Sequence, residues 1–198
     1  MLSLAARALP ALLFLPLVWL FFLSYLEYLE TGAGFGVNPD EAFVKYLGEW
    51  SIRILLVAYS ISPVSRVFGW RALAKMRRFV GLTAFMYVLL HLTSYVLLYI
   101  ELDWGALLED VIERKYVVVG FLAFFCLLLM TITSTNGWKK RLGSNWRALH
   151  RLIHIVVLFS LLHYIWLTKD GFGVIFVYVV CFGVLSIERV VRIIRKTG

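Results

Sequence analysis

Six apolar stretches alternate with short polar segments along this chain, over residues 8–26, 45–64, 79–100, 116–135, 148–167 and 172–188. Each is close to the roughly 20 helical residues that a hydrocarbon core of about 30 Å requires. Runs of this length, with few charges inside them, predict membrane-spanning helices rather than buried strands. The fold class expected is therefore an all-α membrane protein, a six-helix bundle forming one transmembrane domain over residues 1–198. The first stretch is too long for the apolar part of a secretory signal, and no small-x-small cleavage site precedes the polar YLEYLETG. It reads as a retained membrane helix.

Composition agrees with the pattern. Hydrophobic residues make up 62% and charged residues 16%, where a soluble domain carries about 25% charged. The two cysteines, Cys126 and Cys181, stand singly in apolar runs without a CxxC. They read as small core residues, which argues against dithiol exchange.

Charge then predicts orientation. SRVFGWRALAKMRR after the second stretch and NGWKKRLGSNWRALHR after the fourth each carry five basic residues and no acidic one. ERVVRIIRK at the end carries four basic residues against one acid. The alternate loops hold Glu27, Glu30, Asp40 and Glu41, then Glu101, Asp103, Glu109, Asp110 and Glu113. Lysine and arginine stay on the cytoplasmic side, so both termini are expected there. The net charge of +8 thus reports topology and contact with anionic lipid, with no call for nucleic acid as a partner. No soluble domain, repeat or low-complexity segment is expected. The loop ELDWGALLEDVIERK suits a short amphipathic helix, with Trp104 at the interface.

Three of the four histidines fall in HRLIHIVVLFSLLHY. An imidazole in hydrocarbon needs something to occupy its nitrogens. Counting from the cytoplasmic ends of the third and fifth stretches, His91 and His163 differ in depth by only about 4–5 Å. Neighbouring helices can aim both at one metal. A zinc site would want further ligands at that depth, and none is visible. Two lone facing histidines suit an iron porphyrin, which brings its own four equatorial nitrogens, with Phe85, Tyr87, Phe159, Tyr164 and Trp166 as aromatic company. The plainer alternative is a hydrogen bond across helices.

His150 lies about 20 Å below His163 on the same helix, so it cannot serve the same metal. It reads either as an interfacial histidine or as a ligand of a second group among Arg77, Arg78, Arg147 and Arg151. His154 is about half a turn out of phase with His163, which disfavours it as a ligand and leaves its role open. Arg53, buried in the second stretch, suits a cofactor carboxylate or an i,i+4 pair with Glu49.

The runs RRFVGLTAFMYVLLHLTSYVLLYIELDW and TSTNGWKKRLGSNWRALHRLIHIVVLFSLLHYIWLTK resemble the MsrQ (YedZ) family of haem-binding membrane subunits, within the ferric-reductase-like transmembrane superfamily. The resemblance covers essentially the whole chain. It implies a b-type cytochrome of the bacterial inner membrane, with one or two haems b and His91, His150 and His163 as the matching histidines. It also implies FMN, for which no motif is legible, electrons from the quinone pool or a separate flavin reductase, and delivery to a periplasmic molybdopterin reductase, MsrP. Methionine sulfoxide reduction itself would take place on that partner. The wider superfamily places two histidines on each of two helices, whereas the third stretch here has only His91. A small transporter or proton channel using His91, His163 and Arg53 is the competing class, and a purely structural anchor is a third.

Overall fold

The computed structural model describes residues 2–168 and 173–197, and every regular element among them is helical. In chain order these are α1 (Leu2–Leu29), α2 (Pro39–Val67), α3 (Arg71–Ser94), α4 (Trp104–Glu113), α5 (Lys115–Ile132), α6 (Asn136–Leu142), α7 (Ser144–Leu149), α8 (Ile153–Leu167) and α9 (Gly173–Thr197). A π-helical turn, Tyr95–Tyr99, ends α3, and a 3-10 turn, His150–Leu152, joins α7 to α8. The expected start of the sixth apolar stretch, at residue 172, lies outside the described residues.

The helix ends follow local chemistry. Pro39 opens α2, and Asp40 and Glu41 occupy its first turn, where carboxylates oppose the positive end of the helix dipole. The Asp103 side chain caps α4 by accepting from the backbone N–H groups of Gly105 and Ala106, at 2.8 and 3.1 Å. The amphipathic helix expected in this loop is α4, with Trp104, Leu108 and Ile112 exposed along one side. Glu101 and Leu102 adopt positive φ, 54° and 61°, where the chain reverses from α3 into α4.

Among the described residues, five spans are long and apolar enough to cross a bilayer: Ala8–Leu29, Arg71–Tyr99, Lys115–Ile132, Ser144–Leu167 and Gly173–Arg192. The second expected stretch is a helix of 29 residues that does not meet this measure. Its residues explain why: Lys45, Glu49, Arg53 and Arg66 dilute its hydrocarbon. It is also the best-buried helix, with Leu47, Ile54, Leu55, Tyr59 and Ile61 at 2% exposure or less. It packs against α1, α3, α8 and α9. A helix surrounded by protein does not need the lipid-facing surface of its neighbours.

Around that hub, α3 packs on α2 and α8 packs on α5. Tyr87, fully buried, donates its hydroxyl to the Leu13 carbonyl at 2.8 Å, and Tyr46 donates to Pro16 at 2.9 Å. Both accept positions lie on α1, whose two internal prolines are Pro10 and Pro16. The Pro16 ring has no N–H, but its carbonyl remains a full acceptor.

Candidate cofactor site

His91, near the end of α3, and His163, near the end of α8, face each other across the bundle. Their ring centroids are 6.3 Å apart and their planes cross at 76°. Each ring is tied to a helix it packs against. His91 Nδ1 lies 3.0 Å from the Val44 carbonyl oxygen, and His163 Nδ1 lies 2.7 Å from that of Tyr116. A carbonyl oxygen only accepts, so each Nδ1 carries the proton and each Nε2 keeps its lone pair. Both imidazoles are thus set in the tautomer that a metal ligand needs.

The two halves of this arrangement match. Both hydrogen bonds span 47 residues. The sequence shift that carries His91 onto His163 also carries Val44 onto Tyr116, Gly48 onto Gly120, and Arg78 onto His150. Gly48 sits against the His91 ring, and Gly120 sits against the His163 ring. The α2–α3 and α5–α8 pairs thus hold their histidines in the same way. The tripeptide LLH that ends on each histidine was the signal available in the sequence.

The spacing suits one metal ion. An ion bonded at about 2 Å to one nitrogen of each imidazole, with about 1 Å from that nitrogen to the ring centre, holds the centroids about 6 Å apart. Among the described residues no group of three His, Cys, Asp or Glu side chains is placed to hold a metal. An ion held by this pair would take any further ligands from outside such side-chain groups.

The expected aromatic company is only partly assembled. Phe85 stacks on Phe124 between α3 and α5, with centroids 6.0 Å apart. Tyr87 instead faces α1, through Leu13, and Trp166 is 49% exposed on the outside of the bundle. Tyr164 packs on Tyr178, with centroids 5.9 Å apart.

Arg53 is held by protein groups. Its Nη2 meets Glu49 at 2.6 Å, its Nε donates to the Tyr178 hydroxyl at 2.8 Å, and its guanidinium lies over Trp50. Of its two sequence readings, the structure shows the pair with Glu49. The Tyr178 contact places it next to Tyr164, the neighbour of His163 in the chain.

At the basic end of the bundle the structure gathers His150, Arg77, Arg78, Arg147 and Arg151 around a cavity of about 1130 Å³. Arg66 of α2, Lys75 of α3, Lys139 of α6 and Arg189 and Arg192 of α9 also line it. No carboxylate does among the described residues. Neither His91 nor His163 lines this cavity. His150 stacks on Trp146, with centroids 4.0 Å apart, and its Nε2 makes a long 3.4 Å contact with the Thr133 hydroxyl. The Trp146 indole is fixed in turn by donating to the Thr133 carbonyl at 2.8 Å.

His154 is occupied at both nitrogens. Arg189 Nη1 approaches Nε2 at 3.4 Å, and Nδ1 meets the Tyr59 hydroxyl at 2.8 Å. Arginine can only donate, so Nε2 accepts, Nδ1–H donates to Tyr59, and Tyr59 in turn can donate to Ser186 at 3.0 Å. Arg189 also donates to the Tyr59 carbonyl at 2.6 Å and lies 3.9 Å from the centre of its ring. This brace between α2, α8 and α9 leaves His154 no lone pair for a metal.

A family model described as "Ferric reductase like transmembrane component" matches residues 47–161. That region contains Gly48, His91, Gly120 and His150, and ends just before His163. Two relatives bear the name protein-methionine-sulfoxide reductase heme-binding subunit MsrQ. The one from Caulobacter vibrioides is 38% identical over 89% of this chain and 82% of its own length. The one from Rhodospirillum rubrum is 38% identical over 92% of this chain and 85% of its own. The chain belongs to the MsrQ family. A third MsrQ relative, from Xanthomonas campestris, is 38% identical over 68% of this chain and 62% of its own length. The MsrQ resemblance read from the sequence stands.

Proposed function

We propose that this MsrQ-family chain is a membrane cytochrome that carries electrons from the cytoplasmic side of the bacterial inner membrane to a periplasmic methionine sulfoxide reductase, MsrP. In this reading all six long helices cross the bilayer, with α2 shielded by the others, and both termini lie with the basic loops in the cytoplasm. The single observation that carries it is the His91–His163 pair, 6.3 Å apart, with both Nδ1 protons committed to backbone carbonyls.

The site fits haem b. His91 and His163 would hold the haem iron, and the porphyrin would bring the further nitrogens that the protein lacks. Bound there, haem supplies reversible one-electron chemistry. The chain's own residues do the rest. Val44 and Tyr116 fix the tautomers. Arg53 and Glu49 stand as a charge-balanced pair beside Tyr178.

A single group near the acidic end leaves most of the membrane unbridged, because His150, in the turn before α8, lies 13 residues before His163, about 20 Å at helical rise. We place a second, anionic group in the cavity beside His150. Arg77, Arg78, Arg147 and Arg151 suit either haem propionates or the phosphate of FMN. The correspondence of the two helix pairs favours the flavin. Arg78 stands where a second histidine would complete a bis-histidine pair with His150, and a guanidinium has no lone pair for iron. Quinol of the respiratory pool, or a separate flavin reductase, is the electron donor in this reading. Sulfoxide reduction takes place on the partner.

Purified protein examined by absorbance spectroscopy tests the proposal. A Soret band with α and β peaks that sharpen on reduction is expected. A colourless protein, reconstituted with haem yet unable to bind it, contradicts it.

A further inference from the structure

We propose that Gly48 and Gly120 are a matched pair of positioning residues that fix the planes and the separation of His91 and His163. The proposal rests on the haem reading above, and it concerns residues that bond neither the iron nor the porphyrin. A methyl carbon built on Gly48 would stand 3.0 Å from His91 Cε1 and 3.2 Å from its Nδ1. One built on Gly120 would stand 2.8 Å from His163 Nδ1 and 3.1 Å from its Cε1. Ordinary carbon contacts lie near 3.5–4.0 Å, so each ring occupies the space of the missing side chain.

The rings cannot simply step aside. Each glycine lies one helical turn beyond the carbonyl that holds its own histidine: Val44 precedes Gly48, and Tyr116 precedes Gly120. In an α-helix those positions share a face. The glycine therefore lets the imidazole lie flat on the neighbouring helix while its Nδ1–H reaches the carbonyl on the same face. A ring pushed off the glycine must turn, lengthen its 3.0 or 2.7 Å hydrogen bond, or change the 6.3 Å separation. Other helical glycines are not so used: a methyl on Gly183 would meet nothing within 4 Å.

The test compares Gly48→Ala, Gly120→Ala and Gly183→Ala with the unmodified protein, each purified with its haem. Alanine is the better helix former, so loss of helix propensity does not account for an effect. The readouts are the ferric electron paramagnetic resonance spectrum and the midpoint potential. Imidazole planes crossed at 76° belong to the highly anisotropic low-spin type, with one dominant large-g feature, and that feature follows the angle between the planes. The expected result is a resolved shift of the feature and of the midpoint in Gly48→Ala and in Gly120→Ala, and none in Gly183→Ala. Coincident spectra and potentials for all four proteins overturn the proposal while leaving the haem reading intact. An unmodified protein without low-spin haem overturns the reading, and the proposal falls with it. For a variant recovered without haem, size-exclusion and circular dichroism decide. A folded, monodisperse bundle supports positioning, and an aggregated one counts against it, since a packing role alone then suffices.

Discussion

The Tyr95 hydroxyl donates to the carboxylate of Asp110 at 2.6 Å, joining the turn just beyond His91 to helix α4. Asp110 is only 8% exposed, and its other oxygen meets Arg114 Nε at 3.0 Å. Arg114 in turn donates to the Tyr116 hydroxyl at 3.3 Å, and the Tyr116 carbonyl holds His163. The acidic loop thus links the segment just beyond His91 to the one that holds His163. The neighbouring phenol oxygen of Tyr116, with that of Tyr99, raises the Arg114 pKa above its ordinary value, so the guanidinium stays charged at any working pH.

Asp110→Ala leaves the Tyr95 hydroxyl without its acceptor and Arg114 without its carboxylate. Losing a buried, charge-assisted acceptor costs about 1–3 kcal/mol. Thermal unfolding in detergent should show a lowered midpoint, with a smaller loss for Asp110→Asn, which keeps an acceptor for Tyr95. Equal midpoints for all three proteins would show the link to be idle.

Arg53→Leu should lower the midpoint potential of the haem. Arg53 and Glu49 are paired at 2.6 Å, so removing the guanidinium uncovers a carboxylate, and negative charge in a low dielectric disfavours the added electron. The double variant Arg53→Leu with Glu49→Gln should return most of the way. Redox titration of the three proteins checks this, and an unmoved single variant removes Arg53 from the site.

How much of this was legible in the sequence varies residue by residue. The depth match of His91 and His163 follows from counting along regular helices, and the pairing of Arg53 with Glu49 from i,i+4 spacing. Tyr178 could not be foreseen as a second partner, because it lies 125 positions away and only packing brings α9 to α2. Asp110 looked like one of several acidic loop residues marking orientation, and burial gives it another role. Gly48 and Gly120 are unremarkable singly in the sequence. They gain meaning only when α3 and α8 place a ring on each. The 3-10 turn at His150 has no glycine or proline to announce it. The hub helix α2 reads as a span by length, while its charges reflect neighbours that the sequence does not display.

His154→Ala should leave the haem spectrum unchanged and lower stability. Tyr59 is 1% exposed, and without the imidazole its hydroxyl and Arg189 both lose a partner, at a cost of about 1–3 kcal/mol. A changed haem spectrum in this variant would contradict the structural role of the Tyr59–His154–Arg189 brace.

His150→Ala should keep the low-spin haem yet lose most electron delivery to a periplasmic acceptor, together with the second cofactor. His150 stacks on Trp146 beside the basic cavity and shares no contact with the His91–His163 pair. Cofactor stoichiometry and turnover measured side by side decide it. Values equal to the unmodified protein reduce His150 to an interfacial residue.

The most direct measurement is the dithionite-reduced minus oxidised absorbance spectrum of the purified protein beside those of His91→Ala and His163→Ala. Each imidazole would provide one of only two protein bonds to the iron. The haem reading predicts a low-spin b-type spectrum in the unmodified protein and its loss, or conversion to high spin, in both variants. An unchanged low-spin spectrum in either variant would contradict the pairing of His91 with His163.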